Sequence, residues 1–413
     1  MNITLKTTVF FLFILLNHAI FAQVVISEIN YNSENSIEAG DWVELYNTSN
    51  APVSLNGWTM KDNSDINIFT FGATTLAAGA RLVLVNDAAA FAAQHPSVSP
   101  AGTFGFGLGN VSDAVRLFNS SGATISAVTY IDSLPWPRGA DGLGRTLEVL
   151  NPTGNLNDPA NWFDGCMGGS PGQAYSPCAD ILVFSEINYN SDSLFDTDDW
   201  VELQNTSSSP INIGGWILYD KVDTNDYVIP TGTTVPANGR LVLAQTLDKF
   251  RCFHLNTSNV IGSFGFNLSG DGEVIRLFDN TGKIRFSVVY DDPPTAGWPA
   301  SPDGEGATLE LLSLSGKFNN GDNWFGGCTG GSPGIAYNAA CPTPASVHNP
   351  IDGTLNACRL QAQTYSVPNV AGVNYAWTVS PNGTIMSGNG TNTITVLWNS
   401  AGVGTVDVVQ TAP

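Results

Sequence analysis

The chain reads as short runs of alternating apolar and polar residues, the spacing of half-buried β-strands. In Asp41–Asn47 the apolar Val43 and Leu45 face one way, and Trp42, Glu44 and Tyr46 face the other. Arg81–Val85 and Val115–Phe118 read as further strands, punctuated by turn signals such as Asn56-Gly57, Ser121-Gly122 and Asp303-Gly304. Only Asp87–Gln94 and Thr246–His254 have a helical pattern. Val9–Leu16 is instead an unbroken apolar run. It follows Lys6 and precedes the small Ala22, so residues 1–22 read as a secretion signal; the run is too short to span a bilayer.

The pattern occurs twice. Ser27–Asn32 returns as Ser185–Asn190, and Asp41–Leu45 as Asp199–Leu203. The GW, RLVL, FGF, RLF, TLE, NW and GGSPG segments follow in the same order in both halves. The offset drifts only from 158 residues at Ser27/Ser185 to 163 at Cys178/Cys341, which is a duplicated domain and not a short solenoid repeat. The reading is residues 23–178 and 179–341 as two copies, a Pro-rich linker at 342–350, and a third region at 351–413 with alternating strands and a turn at Pro381–Gly383.

The order SEI-N, DWVEL-NTS, GW, RLVL, VRLF and TLE resembles the lamin tail domain, an immunoglobulin-like β-sandwich. The resemblance covers both copies and implies an all-β chain of tandem sandwiches that bind or build. Bacterial members of that family occur in secreted multidomain proteins, sometimes beside nucleases or other hydrolases. The third region resembles a PKD-like sandwich through Cys358, YSVPNVAG, YAWTVSPNGTI and GTNTITVLW. That family continues to a further strand with a second Cys, so the region is expected to be truncated.

Composition narrows the partners. Of 413 residues 36 are acidic and 15 basic, a net charge of −21 that becomes −22 without Lys6. Such a surface repels nucleic acid and anionic membranes. Six Cys in an exported chain favour disulfides. Cys166–Cys178 and Cys328–Cys341 occupy matching places, each bridge worth about 3 kcal/mol in the loop-entropy account. Cys252 reads as a buried thiol and Cys358 as one without its partner.

Candidate chemistry is sparse. GGSPG at Gly168–Gly172 and Gly330–Gly334 matches the G-x-S-x-G elbow of hydrolases. There, however, the residue after the nucleophile must donate its N–H to the oxyanion, and Pro171 and Pro333 have none. The repeated His95 and His254 have no recurrent nucleophile or acid nearby in sequence and read as helix ends. Glu28, Glu44, Arg81 and Arg116 recur as Glu186, Glu202, Arg240 and Arg276, the pattern expected of an Arg–carboxylate network across neighbouring strands. Asp192, Asp196, Asp198 and Asp199 crowd one loop and form a candidate calcium site; no cofactor is otherwise implied. Trp136 and Trp298 read as core anchors.

These features point to a secreted or cell-surface binding and structural protein, not an enzyme, with an extracellular protein or glycan as partner. The alternative is the accessory region of a larger exported nuclease or protease.

Overall fold

The structure, a computed structural model, describes residues 23–339 and 351–411, apart from 177, 179, 193, 194, 255, 293–296, 356, 371 and 372 and the side chains of Cys252 and Thr411. Residues 1–22, read as a secretion signal, lie outside the described residues, as do Cys341, the expected linker and the thiol of Cys252.

Copy one packs a six-stranded sheet on a four-stranded one. The larger sheet runs Trp162–Asp164, Leu147–Val149, Val24–Asn30, Trp42–Asn47, Arg81–Val85, Gly102–Thr103, antiparallel except for the last pair. The smaller runs Thr124–Ile131, Ser112–Phe118, Thr59–Lys61, Ile68–Thr70. Val43 and Leu45 join Val24, Ile26 and Ile29 against Val115, Leu117, Val128 and Tyr130, which makes the core between the sheets. The opposite face of the Trp42–Asn47 strand is also covered. Trp42 packs with Val83, Val85 and Phe91 of helix Ala88–Gln94 in a separate small core. Asp87 caps that helix, accepting from the N–H groups of Ala89 and Ala90 at 2.9 and 3.0 Å.

Copy two repeats this arrangement, with its helix at Leu247–Phe253. His95 and His254 are the residues that end the two helices, each donating its N–H to the carbonyl of Phe91 or Phe250. The third region is a smaller sandwich, with four strands on one side and Asn374–Val379 paired with Val406–Thr411 on the other. Its core is Tyr365, Trp377, Ile394, Val396 and Trp398, and Cys358 is exposed and unpaired among the described residues. Trp136 and Trp298 are buried against Trp162 and Trp324, with ring centres 6.1 and 6.3 Å apart.

Cys166 and Cys178 form a disulfide across 12 residues. Cys328 is also disulfide-bonded, and its expected partner Cys341 lies outside the described residues. Non-reducing peptide mapping is expected to recover both Cys166–Cys178 and Cys328–Cys341 as linked peptides, with reduction costing about 3 kcal/mol per bridge. Free thiols at these four positions would refute both assignments.

The two copies dock largely through residues they do not share. Arg145 of copy one is completely buried, with its guanidinium 5.1 and 5.3 Å from the rings of Phe286 and Phe318 of copy two. It donates to the carbonyls of Gly165 at 2.9 Å and Ser287 at 3.2 Å. Arg138 pairs with Asp291 at 2.8 Å, Ser287 Oγ donates to Leu143 O at 2.8 Å, and Asn319 donates to Asp164. Ile284 N donates to Ser36 Oγ at 2.8 Å. The duplicated positions of Arg145, Phe286 and Phe318 hold Ala307, Ser126 and Leu156, so neither copy could build the same contact again.

Candidate functional site

The densest chemistry is a row of three glutamates on the outer face of each large sheet. Glu28 lies directly opposite Glu44 on one side and Glu148 on the other. Ordinary strand alternation would turn Ser27 and Glu28 to opposite faces. A bulge between Ile26 and Glu28 turns both outward, and Ser27 Oγ donates to Glu44 Oε1 at 2.6 Å. All three glutamates are buried.

The GGSPG segment lies over them. Ser170 N donates to Glu28 Oε1 at 2.9 Å, Ser170 Oγ to Glu148 Oε2 at 3.1 Å, and Gly172 N to Glu44 Oε2 at 2.7 Å. Thr146 Oγ1 also donates to Glu28 Oε1, at 2.6 Å, and Arg81 Nη1 reaches Glu44 Oε1 at 2.6 Å. Gly169 has φ +77, and a Cβ there would strike Glu28 Oε1, which is why glycine stands at this point of the loop. Copy two is the same device: Ser332 N and Thr308 Oγ1 on Glu186, Ser332 Oγ on Glu310, and Gly334 N, Ser185 and Arg240 on Glu202.

Electrostatically the row is crowded. Burial first, then the charges of Glu148 and Glu44, hold the Glu28 carboxyl well above the usual range, and Glu186 likewise. Burial pushes Glu148 and Glu202 up to about 7. One arginine per row balances one carboxylate, and the raised carboxyls of the other two favour their neutral forms. Ser170 N and Gly172 N, the amides flanking Pro171, are both spent on glutamates, so the segment offers no oxyanion hole in this arrangement.

Two sequence expectations need correction. Glu28, Glu44, Arg81 and Arg116 do not form one network, nor do Glu186, Glu202, Arg240 and Arg276. Arg81 and Arg240 meet the carboxylates, but Arg116 and Arg276 lie on the smaller sheets. There Arg116 holds Asp62 O at 2.7 Å and Asp65 at 3.2 Å, and Arg276 holds Asp220 O at 2.6 Å and Asp223 at 2.8 Å. Strand adjacency in sequence cannot tell one sheet of a sandwich from the other.

The calcium loop is the second correction. Asp192, Asp196, Asp198 and Asp199 do not converge. Lys249 lies between Asp196, at 2.7 Å, and Asp198, so an ammonium stands where a cation would. Asp199 turns inward to accept Leu268 N at 2.7 Å, and burial pushes its carboxyl up to about 7. Among the described residues no group of three or more His, Cys, Asp or Glu is arranged to hold a metal ion.

Glu148 and Glu310 escaped the sequence reading as members of the row, although both stand in the repeated TLE segment. A signal was present: the apolar phase slips from Val24 and Ile26 to Ile29, which marks the bulge.

The lamin tail domain matches residues 19–132 and 177–292, together more than half of the chain. The chain belongs to the lamin tail domain family. A PKD-like domain matches residues 343–413. The two lamin tail matches stop short of the strands Leu147–Val149 and Trp162–Asp164 and of their counterparts Ala307–Leu311 and Trp324–Thr329, which complete the large sheets and carry Glu148 and Glu310. The chain is thus built of immunoglobulin-like modules of a typically non-catalytic kind.

No curated protein matches the chain. Among solved structures it is similar to a DUF4876 family protein from Bacteroides thetaiotaomicron, at 10% identity and a TM-score of 0.23 over 72% of this chain and 95% of that one. It is also similar to the exo-chitosanase CsxA of Amycolatopsis orientalis, at 15% identity and a TM-score of 0.17 over 65% of this chain and 26% of that one. No helix among the described residues is long and apolar enough to cross a membrane.

Proposed function

We propose that this lamin tail domain chain is a secreted or cell-surface protein that binds or displays an extracellular partner, a protein or a glycan, and has no catalytic activity of its own. The observation that carries the reading is the use made of the duplicated chemistry. In both copies the glutamate row, its serine and its arginine are bonded to one another and to the loop above them, so the groups an enzyme would aim at a substrate are holding that loop to the sheet. The segment at 1–22 and the −22 charge of the remainder support export and argue against nucleic acid as the partner.

Expression from residue 1 in a bacterial host, followed by fractionation and N-terminal sequencing, is expected to place the chain outside the cytoplasm beginning at Gln23. The purified chain is expected to be inert towards a panel of esters, peptides, glycosides and phosphodiesters. Turnover abolished by Glu148→Gln would overturn the non-catalytic reading, and retention in the cytoplasm would overturn export.

A further inference from the structure

A cleft of about 550 Å³ lies where the two copies meet. We infer that it is a binding site for a neutral oligosaccharide. The inference rests on the reading above and names the partner class.

Clefts between domains are favoured ligand sites, and this one falls within the usual range of about 300–1000 Å³. Its floor is the outer face of copy two's smaller sheet, where Tyr219 and Phe278 are half-buried with ring centres 5.4 Å apart. Arg276 lies 5.6 Å from the Tyr219 ring and pairs with Asp223, a carboxylate largely exposed to solvent. The roof is the Asn32–Asn35 segment of copy one. Asn32 is fixed by its bond to Asp141 at 2.6 Å, while the exposed Asn35 side chain makes no hydrogen bond among the described residues.

This combination suits a sugar. The aromatic pair offers apolar surface to the C–H face of a pyranose ring. Around it stand a planar guanidinium, the two carboxylates of Glu34 and Asp223 and two amides, which together supply donors and acceptors for paired hydroxyls. Arg276 offsets Asp223, and the Glu34 carboxylate is held by Ser36 N at 2.8 Å, so the lining offers hydrogen bonds to hydroxyls and repels an anionic ligand. Ile217 is the one aliphatic side chain in the lining, too little to seat a peptide's apolar residues.

The duplication supplies the contrast. Copy one has Lys61 where copy two has Tyr219, and its ammonium reaches Asp65 at 3.2 Å and lies over the Phe118 ring at 5.3 Å. The aromatic pair therefore exists only on the face that copy one roofs.

Titration calorimetry of the full chain against hexasaccharides of β-1,4-glucose, β-1,4-xylose, β-1,4-mannose, β-1,4-N-acetylglucosamine and α-1,4-glucose tests this. At least one is expected to bind with 1:1 stoichiometry. Tyr219→Ala should weaken it at least tenfold. Asn35→Ala, an exposed position whose change leaves the fold intact, should weaken it several-fold. Tyr337→Ala, an aromatic outside the cleft, should leave affinity unchanged. The inference fails if none of the five binds, if binding survives both Tyr219→Ala and Asn35→Ala, or if a peptide library yields the only ligand for the cleft. A silent sugar panel from a chain that is exported and inert to the hydrolase panel would sink the cleft and leave the broader function standing.

Discussion

Arg145→Ala is expected to destabilise the two-copy unit by about 3–5 kcal/mol, the usual cost of removing one partner from a buried charged arrangement. The guanidinium fills the space between Phe286 and Phe318 and satisfies the carbonyls of Gly165 and Ser287. It is also the group whose charge lowers the otherwise raised carboxyls of Asp164 and Asp180. Its loss leaves a cavity, two orphaned acceptors and two less favourably placed carboxyls. Because the contact joins the copies, calorimetry should resolve one unfolding transition in the parent and two in the variant. A single transition with unchanged midpoint would show that the copies are not coupled through Arg145. Arg145→Met, which fills the space without the charge, should fall between.

The second large effect is on pH. The carboxyls of Glu148 and Glu202 are raised from ordinary values near 4.5 to about 7 by burial. A group raised in the folded state contributes stability that is fully present below its unfolded pKa and is lost as pH rises through the folded one. The window is therefore between about pH 4.5 and pH 7, and each group is worth on the order of 3 kcal/mol across it. His254 works the other way. Burial lowers it to about 4, so its contribution is present above its ordinary 6.5 and lost as pH falls towards 4. These two raised carboxyls, joined by Asp199, which burial also lifts to about 7, outweigh one lowered imidazole, and the chain should melt on the order of 5–10 °C higher at pH 5 than at pH 8. Glu148→Gln keeps the shape and removes one titrating group, so the pH dependence of copy one should flatten. A melting temperature that rises steadily from pH 5 to pH 8 would show that the glutamates are ionised and otherwise compensated.

Much of this architecture was legible in the chain. Val43 and Leu45 announce an inward face, Asp87 starts a helix and Asn-Gly pairs close turns, all through interactions a few residues apart. The second copy repeats most of these signals in the same order, which separates what the fold needs from what one copy does alone. The glutamate row was half legible. Glu28 and Glu44 recur visibly, but their company with Glu148 depends on Leu147–Val149 pairing beside Val24–Asn30, a partnership across more than 100 residues. The sorting of Arg81 from Arg116 depends on which sheet each strand joins, and their strand patterns look alike.

The sequence by itself determined the strands and turns, the duplication and the disulfide loop of copy one, because alternation, turn chemistry and cysteine spacing are local properties, while the sandwich came from the resemblance of its ordered motifs to the lamin tail domain. Only the tertiary structure decided where the charges go. It placed Lys249 among the aspartates that had suggested calcium, laid GGSPG over three glutamates, and buried Arg145 between two rings of the other copy. Burial and Coulomb energy depend on distances through space, and the chain sets those distances only when its sheets close and its two copies dock.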